Sequence, residues 1–232
     1  MFDGTVAIGI ASEIASTQDE KSLVPGFQII CQYLDVFPEG LSWRDKQKPS
    51  VRDENGLAKL AVRYFEGYRK SHFPAEPETI PDKVVSVIMR EAYGYTDEEC
   101  SKIKLEHQHS MCAESCVGNL LERYLDSKLR DSGWVWCCGE FVKAIDFLAR
   151  KEDGQWIVLQ IKNRDNSENS SSSAIRNGTE IGKWFRSYSK DTKRGRPSMT
   201  NWAKLPALMH GYDLSEDGFK QFVVEYLRAQ KP

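Results

Sequence analysis

The sequence lacks long apolar runs and paired cysteines. No apolar run approaches the roughly 20 residues that a membrane-spanning helix needs, so no membrane span is expected. None of the six cysteines forms a C-x-x-C pair, and no signal peptide is recognised, which favours reduced thiols in a cytoplasm. His109, Cys112 and Cys116 have helical spacing, but without a second pair they are expected in the core rather than on zinc.

A strong net charge is also missing, yet the charge is unevenly distributed. The net charge is −2, whereas counting along the chain gives −7 for residues 1–142 and +6 for residues 143–204. A positive segment inside a nearly neutral chain is typical of a surface that binds a polyanion. Chance clustering of solvated charges is the alternative.

The length and the apolar content predict one α/β domain. With 232 residues and 40% apolar residues, the chain can bury a substantial core. We expect a central mixed β-sheet flanked by helices, with a mainly helical N-terminal part (1–104) and a second part (105–232) that contains the strands.

The helix signals are caps, prolines and apolar spacing. Residues 1–40 predict two helices broken at residues 24–26, Pro81 is expected as the first residue of a helix, and Thr96 opens a capping box. Further helices are expected at about 57–68, 111–131 and 216–229, and an aromatic helix at 179–188.

A hairpin over residues 141–164 is the strongest strand signal. Two apolar runs flank Glu152-Asp153-Gly154. A two-residue Asp-Gly turn would pair Asp146 with Ile161, whereas a three-residue loop with Gly154 left-handed would pair Asp146 with Gln160 and Lys162 with Ala144. We favour the second register, because it places Asp146, Gln160 and Lys162 on one face.

These three side chains suit metal-assisted phosphodiester cleavage. Asp146 and the Gln160 amide oxygen are hard oxygen ligands of the kind that Mg²⁺ prefers. Lys162 could hold or deprotonate the attacking water. The alternative is a buried Lys–Asp pair that only joins two strands, which is uncommon because desolvation is costly.

The pattern of Asp146, thirteen residues and then Gln160-Ile161-Lys162 resembles the PD-(D/E)xK nuclease signature, with Gln in place of the usual Asp or Glu. The longer context LERYL, GWVWCCGEFVKAIDF, QIKNRDNSENSSSSAIRNGT and KWFRSYS is similar to type II restriction endonucleases of the SinI and AvaII kind. That resemblance covers about residues 105–205. It implies a restriction-endonuclease-like core and double-strand cleavage at GG(A/T)CC.

The helix around GNLLERYL resembles the G-x-x-x-E-x-x-L helix that supplies an additional carboxylate in many nucleases of this superfamily. Glu122 is the candidate, and it would offset the charge lost at Gln160. Glu114 lies about 12 Å earlier along the helix, at 1.5 Å per residue, and is the alternative. An ordinary solvated glutamate is the other interpretation of Glu122.

The polar segment after Lys162 is expected to contact DNA rather than to be a disordered linker. Arg164, Asn166, Asn169 and Arg176 are expected at or near the major groove, and Lys183 and Arg186 are further DNA-binding candidates. Lys193, Arg194 and Arg196 could grip phosphates or enter the minor groove, or belong to a surface loop that orders only on binding.

Together with this resemblance, the sequence predicts a Mg²⁺-dependent homodimeric type II restriction endonuclease of a prokaryotic cytoplasm, since a two-fold dimer matches a palindromic site. Residues 105–232 are expected to form its catalytic core and DNA-recognition part. Two alternatives stay open at this point. One is a structure-specific nuclease that resembles junction resolvases, and the other is a catalytically inactive DNA-binding protein.

Overall fold

The computed structural model describes residues 1–165, 181–190 and 199–231. Within them the helices are α1 (Gly4–Ile14), α2 (Gln18–Val36), α3 (Glu54–Arg69), α4 (Lys83–Tyr93), α5 (Asp97–Leu129) and α6 (Glu216–Gln230). The strands are β1 (Trp134–Trp136), β2 (Phe147–Arg150), β3 (Trp156–Arg164) and β4 (Gly182–Ser187). The expected α/β architecture is confirmed.

The strands form one mixed sheet in the order β1-β2-β3-β4. β1 pairs with β2 and β2 with β3 in antiparallel fashion, whereas β4 lies parallel to β3. Helix α5 packs on β1 and β3, and α2 packs on β1. The middle of α5 therefore lies beside the strands that carry the predicted catalytic residues.

The β2–β3 hairpin has the expected register. Phe147 pairs with Leu159 and Arg150 with Trp156, as the three-residue loop requires. Gly154 is left-handed, with φ of 84°, and its N–H donates to the Lys151 carbonyl. The ladder stops at Phe147, however, because Ala144 lies in a turn with φ of 55°, and the expected pair between Lys162 and Ala144 is not formed.

The predicted break at residues 24–26 is wrong, because α2 passes through Pro25. The break lies instead before Thr17, whose side chain caps α2 by accepting from the Glu20 N–H. Leu23, Val24 and Phe27 are buried around Pro25, so core packing outweighs the lost helical hydrogen bond.

Two further predicted helix boundaries are wrong, one at the start of α4 and one within α5. Pro81 precedes the helix, and Asp82 caps it by accepting from the Val84 N–H. The Thr96–Glu99 capping box is present as predicted. The two helices expected after Thr96 are one continuous helix of 33 residues.

The prediction of an aromatic helix at 179–188 is wrong for the described residues 181–188, because they contain the strand β4 instead. Trp184 is buried in the core, and its indole N–H donates to the Asn201 carbonyl. Aromatic residues fit a half-buried strand well. The free edge of β3 supplies the strand with which β4 pairs.

The C-terminal helix α6 begins as predicted, with the Ser215 hydroxyl accepting from the Gly218 N–H. Phe219 is buried against Tyr124 of α5, so this face of the helix packs on the core. None of the helices among the described residues is long and apolar enough to cross a membrane.

Candidate active site

Glu122, Asp146 and Lys162 converge where α5 crosses the hairpin. Glu122 lines two neighbouring cavities: one of about 320 Å³ that Asp146 also lines, and an open one of about 620 Å³ that Lys162 also lines. Asn119 lies one turn before Glu122 and lines both cavities. Two carboxylates and a cation are thus brought to one patch by a helix and two adjoining strands.

Asp146 lies one residue before β2, and two hydrogen bonds to β3 fix its position. Its N–H donates to the Leu159 carbonyl at 2.9 Å, and its Oδ2 accepts from the Ile161 N–H at 2.6 Å. The carboxylate therefore takes the place of a ladder acceptor at the end of β2. This bond holds it against the β3 backbone, one residue before Lys162.

Glu122 is held by a side chain of the sheet. The indole N–H of Trp136, on β1, donates to Glu122 Oε2 at 2.9 Å. Burial and the neighbouring Asp146 carboxylate raise the pKa of Glu122 to about 8, although the Trp136 bond and the Lys162 ammonium favour the ionised form. Glu140 adds to the negative potential.

The pKa of Asp146 is raised as well. Burial raises the pKa of Asp146 to about 6, against the lowering effects of the Ile161 N–H and the Lys162 ammonium. Two partly desolvated carboxylates that repel each other form a site that an added cation would stabilise. Lys162 supplies part of that positive charge, but it leaves both pKa values raised.

The donor set fits a cation that takes few protein ligands. Within the described ranges, no group of three or more His, Cys, Asp or Glu side chains could hold a metal ion. The two carboxylates of Glu122 and Asp146 suit Mg²⁺, which keeps several waters. Gln160 is buried on β3 and lies opposite Lys183 of β4 in the parallel ladder.

The alternative carboxylate, Glu114, lies farther out. It lines the larger cavity and forms an ion pair with Arg164 at the end of β3, with 3.2 Å between Oε1 and Nη2. Both side chains are about half exposed. Glu122 is therefore the glutamate that lines a cavity together with Asp146, and the Asp146 carboxylate contributes to its raised pKa.

Arg186 is placed differently from what a DNA contact requires. Its guanidinium donates to both oxygens of Glu216, at 2.6 and 2.8 Å, and to Asn163 Oδ1. It also lies 5.3 Å over the Phe219 ring, and its side chain is only 14% exposed. This geometry does not support the predicted DNA contact, because its charge already holds α6 against β3 and β4.

The remaining DNA-binding candidates divide into two groups. Arg164 lines the larger cavity together with Glu122 and Lys162, and Lys183 of β4 is the ladder partner of Gln160. The other candidates lie outside the described residues: Asn166, Asn169, Arg176, Lys193, Arg194 and Arg196.

Sequence reasoning missed Asn119 and Trp136. Asn119 could have been found, since it lies three residues before Glu122 and so shares its helix face. Trp136 carries no such signal, because its bond to Glu122 depends on how β1 packs against α5. The expected core position of His109, Cys112 and Cys116 is correct for Cys116 alone of the three, because Cys112 is partly exposed and His109 is exposed on α5.

Comparisons with known proteins agree with this geometry. The family model described as SinI restriction endonuclease matches residues 7–229. The chain is 42% identical to the type II restriction enzyme SinI of Salmonella infantis, with both chains fully covered. It is 43% identical to the type II restriction enzyme Eco47I of Escherichia coli, over 87% of this chain and 86% of that enzyme.

An α/β fold with an acidic and basic patch of this kind, together with these relatives, defines a site-specific DNA endonuclease. More narrowly, the chain belongs to the SinI restriction endonuclease family. The resemblance inferred from the sequence motifs is confirmed.

Proposed function

We propose that this protein is a Mg²⁺-dependent type II restriction endonuclease that cuts both strands of a short palindrome. The observation that carries the proposal is the convergence of Glu122, Asp146 and Lys162 from α5 and the hairpin. The resemblance to the AvaII group supports GG(A/T)CC as the recognition sequence. A homodimer acting in the bacterial cytoplasm would present one patch to each strand.

The metal ligands we propose are Asp146, Glu122 and the Gln160 amide oxygen. Burial disfavours the charge of both carboxylates, and Asp146 also repels Glu122, so a divalent cation would stabilise both in the ionised form. When bound, Mg²⁺ would lower the pKa of a coordinated water and neutralise charge on the phosphate. The neutral Gln160 contributes no charge, and Glu122 supplies the second negative charge of the site.

Lys162 positions the attacking water in this proposal. Its ammonium belongs to the same patch and favours the ionised form of both carboxylates. It can donate to the water and to a phosphate oxygen, whose negative charge grows in the transition state. The Asp146 carboxylate is kept in place by the Ile161 N–H, so it needs little reorganisation on binding.

DNA recognition is proposed to follow directly from the catalytic strands. Arg164 and Lys183 would contact DNA beside the patch, and Arg164 would exchange its ion pair with Glu114 for a contact to DNA. Asn166, Asn169 and Arg176 are proposed for base reading, and Lys193, Arg194 and Arg196 for phosphate or minor-groove contacts.

Phage λ DNA incubated with the purified protein and MgCl₂ provides the test. We expect discrete fragments from the wild-type protein and none from Asp146→Asn or Lys162→Ala. Both variants should still bind a duplex that contains the site in Ca²⁺. Lys151→Ala, an exposed lysine at the far end of the same hairpin, is the matched control and should cut normally. Near-normal cutting by either catalytic variant would refute this mechanism.

The same digest separates the alternatives. A smear, or cutting restricted to branched DNA, would indicate a structure-specific nuclease. Binding without any cutting would indicate an inactive DNA-binding protein. Sequencing of the fragment ends then tests GG(A/T)CC directly.

A further inference from the structure

Basic side chains line the cavity of about 320 Å³ beside the two carboxylates, and two of them come from the N-terminal part of the chain. Besides Glu122 and Asp146, this cavity is lined by Lys70 and His72, which follow α3, and by Lys143, which lies in the turn before Asp146. The sequence patterns single out none of these three residues. The helical N-terminal part therefore contributes side chains to the candidate active site.

His72 is buried, and its ring lacks a hydrogen-bond partner. The residue is only 9% exposed, and its backbone N–H donates to the Tyr226 hydroxyl at 3.2 Å. The imidazole forms no hydrogen bond with any residue that the structure describes, although buried polar groups are nearly always paired. Burial, together with the nearby charges of Arg123 and Lys70, lowers the pKa of His72 to about 4, so the ring is neutral and carries one N–H donor. That donor is available to a ligand in the cavity.

Close packing fixes the segment that carries Lys70. Gly67 lies in the last turn of α3, and an added Cβ would come within 2.0 Å of the Cys138 carbonyl oxygen, so no side chain fits there without a backbone shift. Arg123, the residue after Glu122 on α5, donates to the Lys70 carbonyl at 2.7 Å. The helix that carries Glu122 therefore also holds the end of α3 beside the cavity.

The charges of Lys70 and Lys143 are only weakly neutralised. Lys143 Nζ donates to the Glu39 carbonyl at 2.6 Å, and this acceptor carries no net charge. Lys70 Nζ lies 3.9 Å from Glu140 Oε1, and the two side chains are 62% and 66% exposed, respectively. An exposed ion pair of this kind contributes little to stability. Both ammonium groups can therefore exchange these contacts for a phosphate oxygen.

Glu122 lines two cavities whose basic residues differ. The larger cavity is lined by Lys162 and Arg164, and the smaller one by the three basic residues described above. A DNA strand with one phosphate at Glu122 and Asp146 carries a further phosphate on each side, because the charges repeat about every 3.4 Å of helix axis along a strand. Basic groups are thus present for the neighbouring phosphate in both cavities.

We propose that Lys70, His72 and Lys143 form a second phosphate-binding subsite, which holds the phosphate of the cleaved strand next to the scissile one. The ammonium groups supply the charge, and the His72 N–H donates to a phosphate oxygen. This assignment rests on the proposed function and adds to it residues that the nuclease motif does not contain. It gives the N-terminal part a direct role in placing the substrate.

Duplexes with one uncharged linkage test the subsite. Sequencing of the fragment ends locates the scissile bond, and a methylphosphonate then replaces the adjacent phosphate on its 5′ or its 3′ side. Lys70→Ala with Lys143→Ala should lower kcat/KM about 100-fold on the all-phosphate duplex, since two charge-assisted contacts are lost. On one of the two modified duplexes the same variant should cut within about 3-fold of the wild-type protein, because the charge that the lysines bind is already absent.

A pair of lysines outside the two cavities provides the matched control. Lys128→Ala with Lys151→Ala removes two exposed lysines that line neither cavity. This variant should cut all three duplexes at the wild-type rate. An equal loss of cutting by Lys70→Ala with Lys143→Ala on all three duplexes would overturn the proposal.

Two substitutions of His72 separate phosphate binding from packing. Phe keeps a buried ring but has no N–H, so kcat/KM should fall about 10-fold, whereas Gln keeps an N–H donor and should recover most of that loss. The melting temperature of the DNA-free His72→Phe protein should not fall, because an apolar ring replaces an unpartnered polar one. Normal cutting by His72→Phe, or a loss that Gln does not recover, would contradict the contact to phosphate.

DNA binding in Ca²⁺ measures the same subsite without cutting. A plot of log affinity against log salt concentration should be less steep by about 1 for Lys70→Ala with Lys143→Ala, since one phosphate contact is lost. The control pair should keep the wild-type slope. An unchanged slope for Lys70→Ala with Lys143→Ala would also overturn the subsite.

The subsite and the nuclease activity fail separately. Site-specific cutting with an unchanged salt slope refutes the subsite and leaves the nuclease intact. A reduced slope in a protein that binds DNA but never cuts it retains the phosphate contact and refutes the nuclease.

Discussion

Replacing Glu122 with Gln should stabilise the metal-free protein while abolishing cleavage. Gln has nearly the same shape, and its amide oxygen can still accept from the Trp136 indole at the position of Oε2. The change removes a charge that burial and Asp146 disfavour. A residue kept for binding a cation is expected to cost stability when no cation is present.

The size of the effect follows from the pKa of Glu122, which is raised from 4.5 to about 8. At 1.36 kcal/mol per unit, that shift corresponds to an upper limit of about 5 kcal/mol at pH 8. Glu122 is only half-buried, so solvent screens its charge, and part of its pKa shift is repulsion that it shares with Asp146. We therefore expect the free energy of unfolding to rise by about 1–3 kcal/mol. For a chain of this length, the melting temperature should rise by about 2–12 °C.

The stability gained by Glu122→Gln should increase with pH. Between pH 4.5 and about 8 the folded protein holds a proton on Glu122 that the unfolded chain releases, so wild-type stability falls as pH rises through this window. Asp146 acts in the same direction between pH 3.8 and about 6. The advantage of Glu122→Gln should therefore be large at pH 8 and nearly absent at pH 5.

Thermal unfolding in EDTA at pH 5 and pH 8, followed by circular dichroism, measures this directly. Glu114→Gln is the control, because Glu114 is exposed and pairs with Arg164 instead. A lower melting temperature for Glu122→Gln at pH 8, or an equal gain at both pH values, would refute the reasoning. Loss of plasmid cutting by the same variant completes the prediction.

Two further predictions follow from the contacts around the site. Trp136→Phe keeps a buried ring but removes the N–H that donates to Glu122. The Mg²⁺ concentration for half-maximal cutting should therefore rise about 10-fold, and saturating Mg²⁺ should restore the cutting rate. An unchanged Mg²⁺ titration would contradict the positioning role of Trp136. Arg186→Leu removes the ion pair to Glu216 and the hydrogen bonds to Asn163, so it should cost about 2 kcal/mol in urea unfolding, with nonspecific DNA affinity unchanged. Lys183→Ala should weaken DNA binding without a loss of stability. A loss of DNA affinity in Arg186→Leu would return Arg186 to the DNA interface.

The catalytic hairpin was predictable because its signals are local. Alternation fixes which β3 residues share a face, and Gly154 fixes the loop length and hence the register. The Thr96 capping box and the Ser215 cap are likewise short-range hydrogen bonds. The identity of the three hairpin candidates followed from the chemistry of polar residues within apolar strands.

The boundaries that failed depend on distant contacts. Local preference favours a break at Pro25, yet the core holds α2 together across it. The aromatic segment that begins at Gly182 became a strand because β3 had a free edge. The ion pair between Arg186 and Glu216, thirty residues later in the chain, is likewise a distant contact that no local pattern predicts.

The sequence by itself determined the family, the hairpin register and the residue types available for catalysis, because these depend on motifs and on alternation within a few residues. Only the tertiary structure decided that Glu122, rather than Glu114, lies with Asp146, and that Trp136 holds it. Packing of α5 across β1 and β3 brings together residues that are far apart in the chain, and no local pattern encodes that distance.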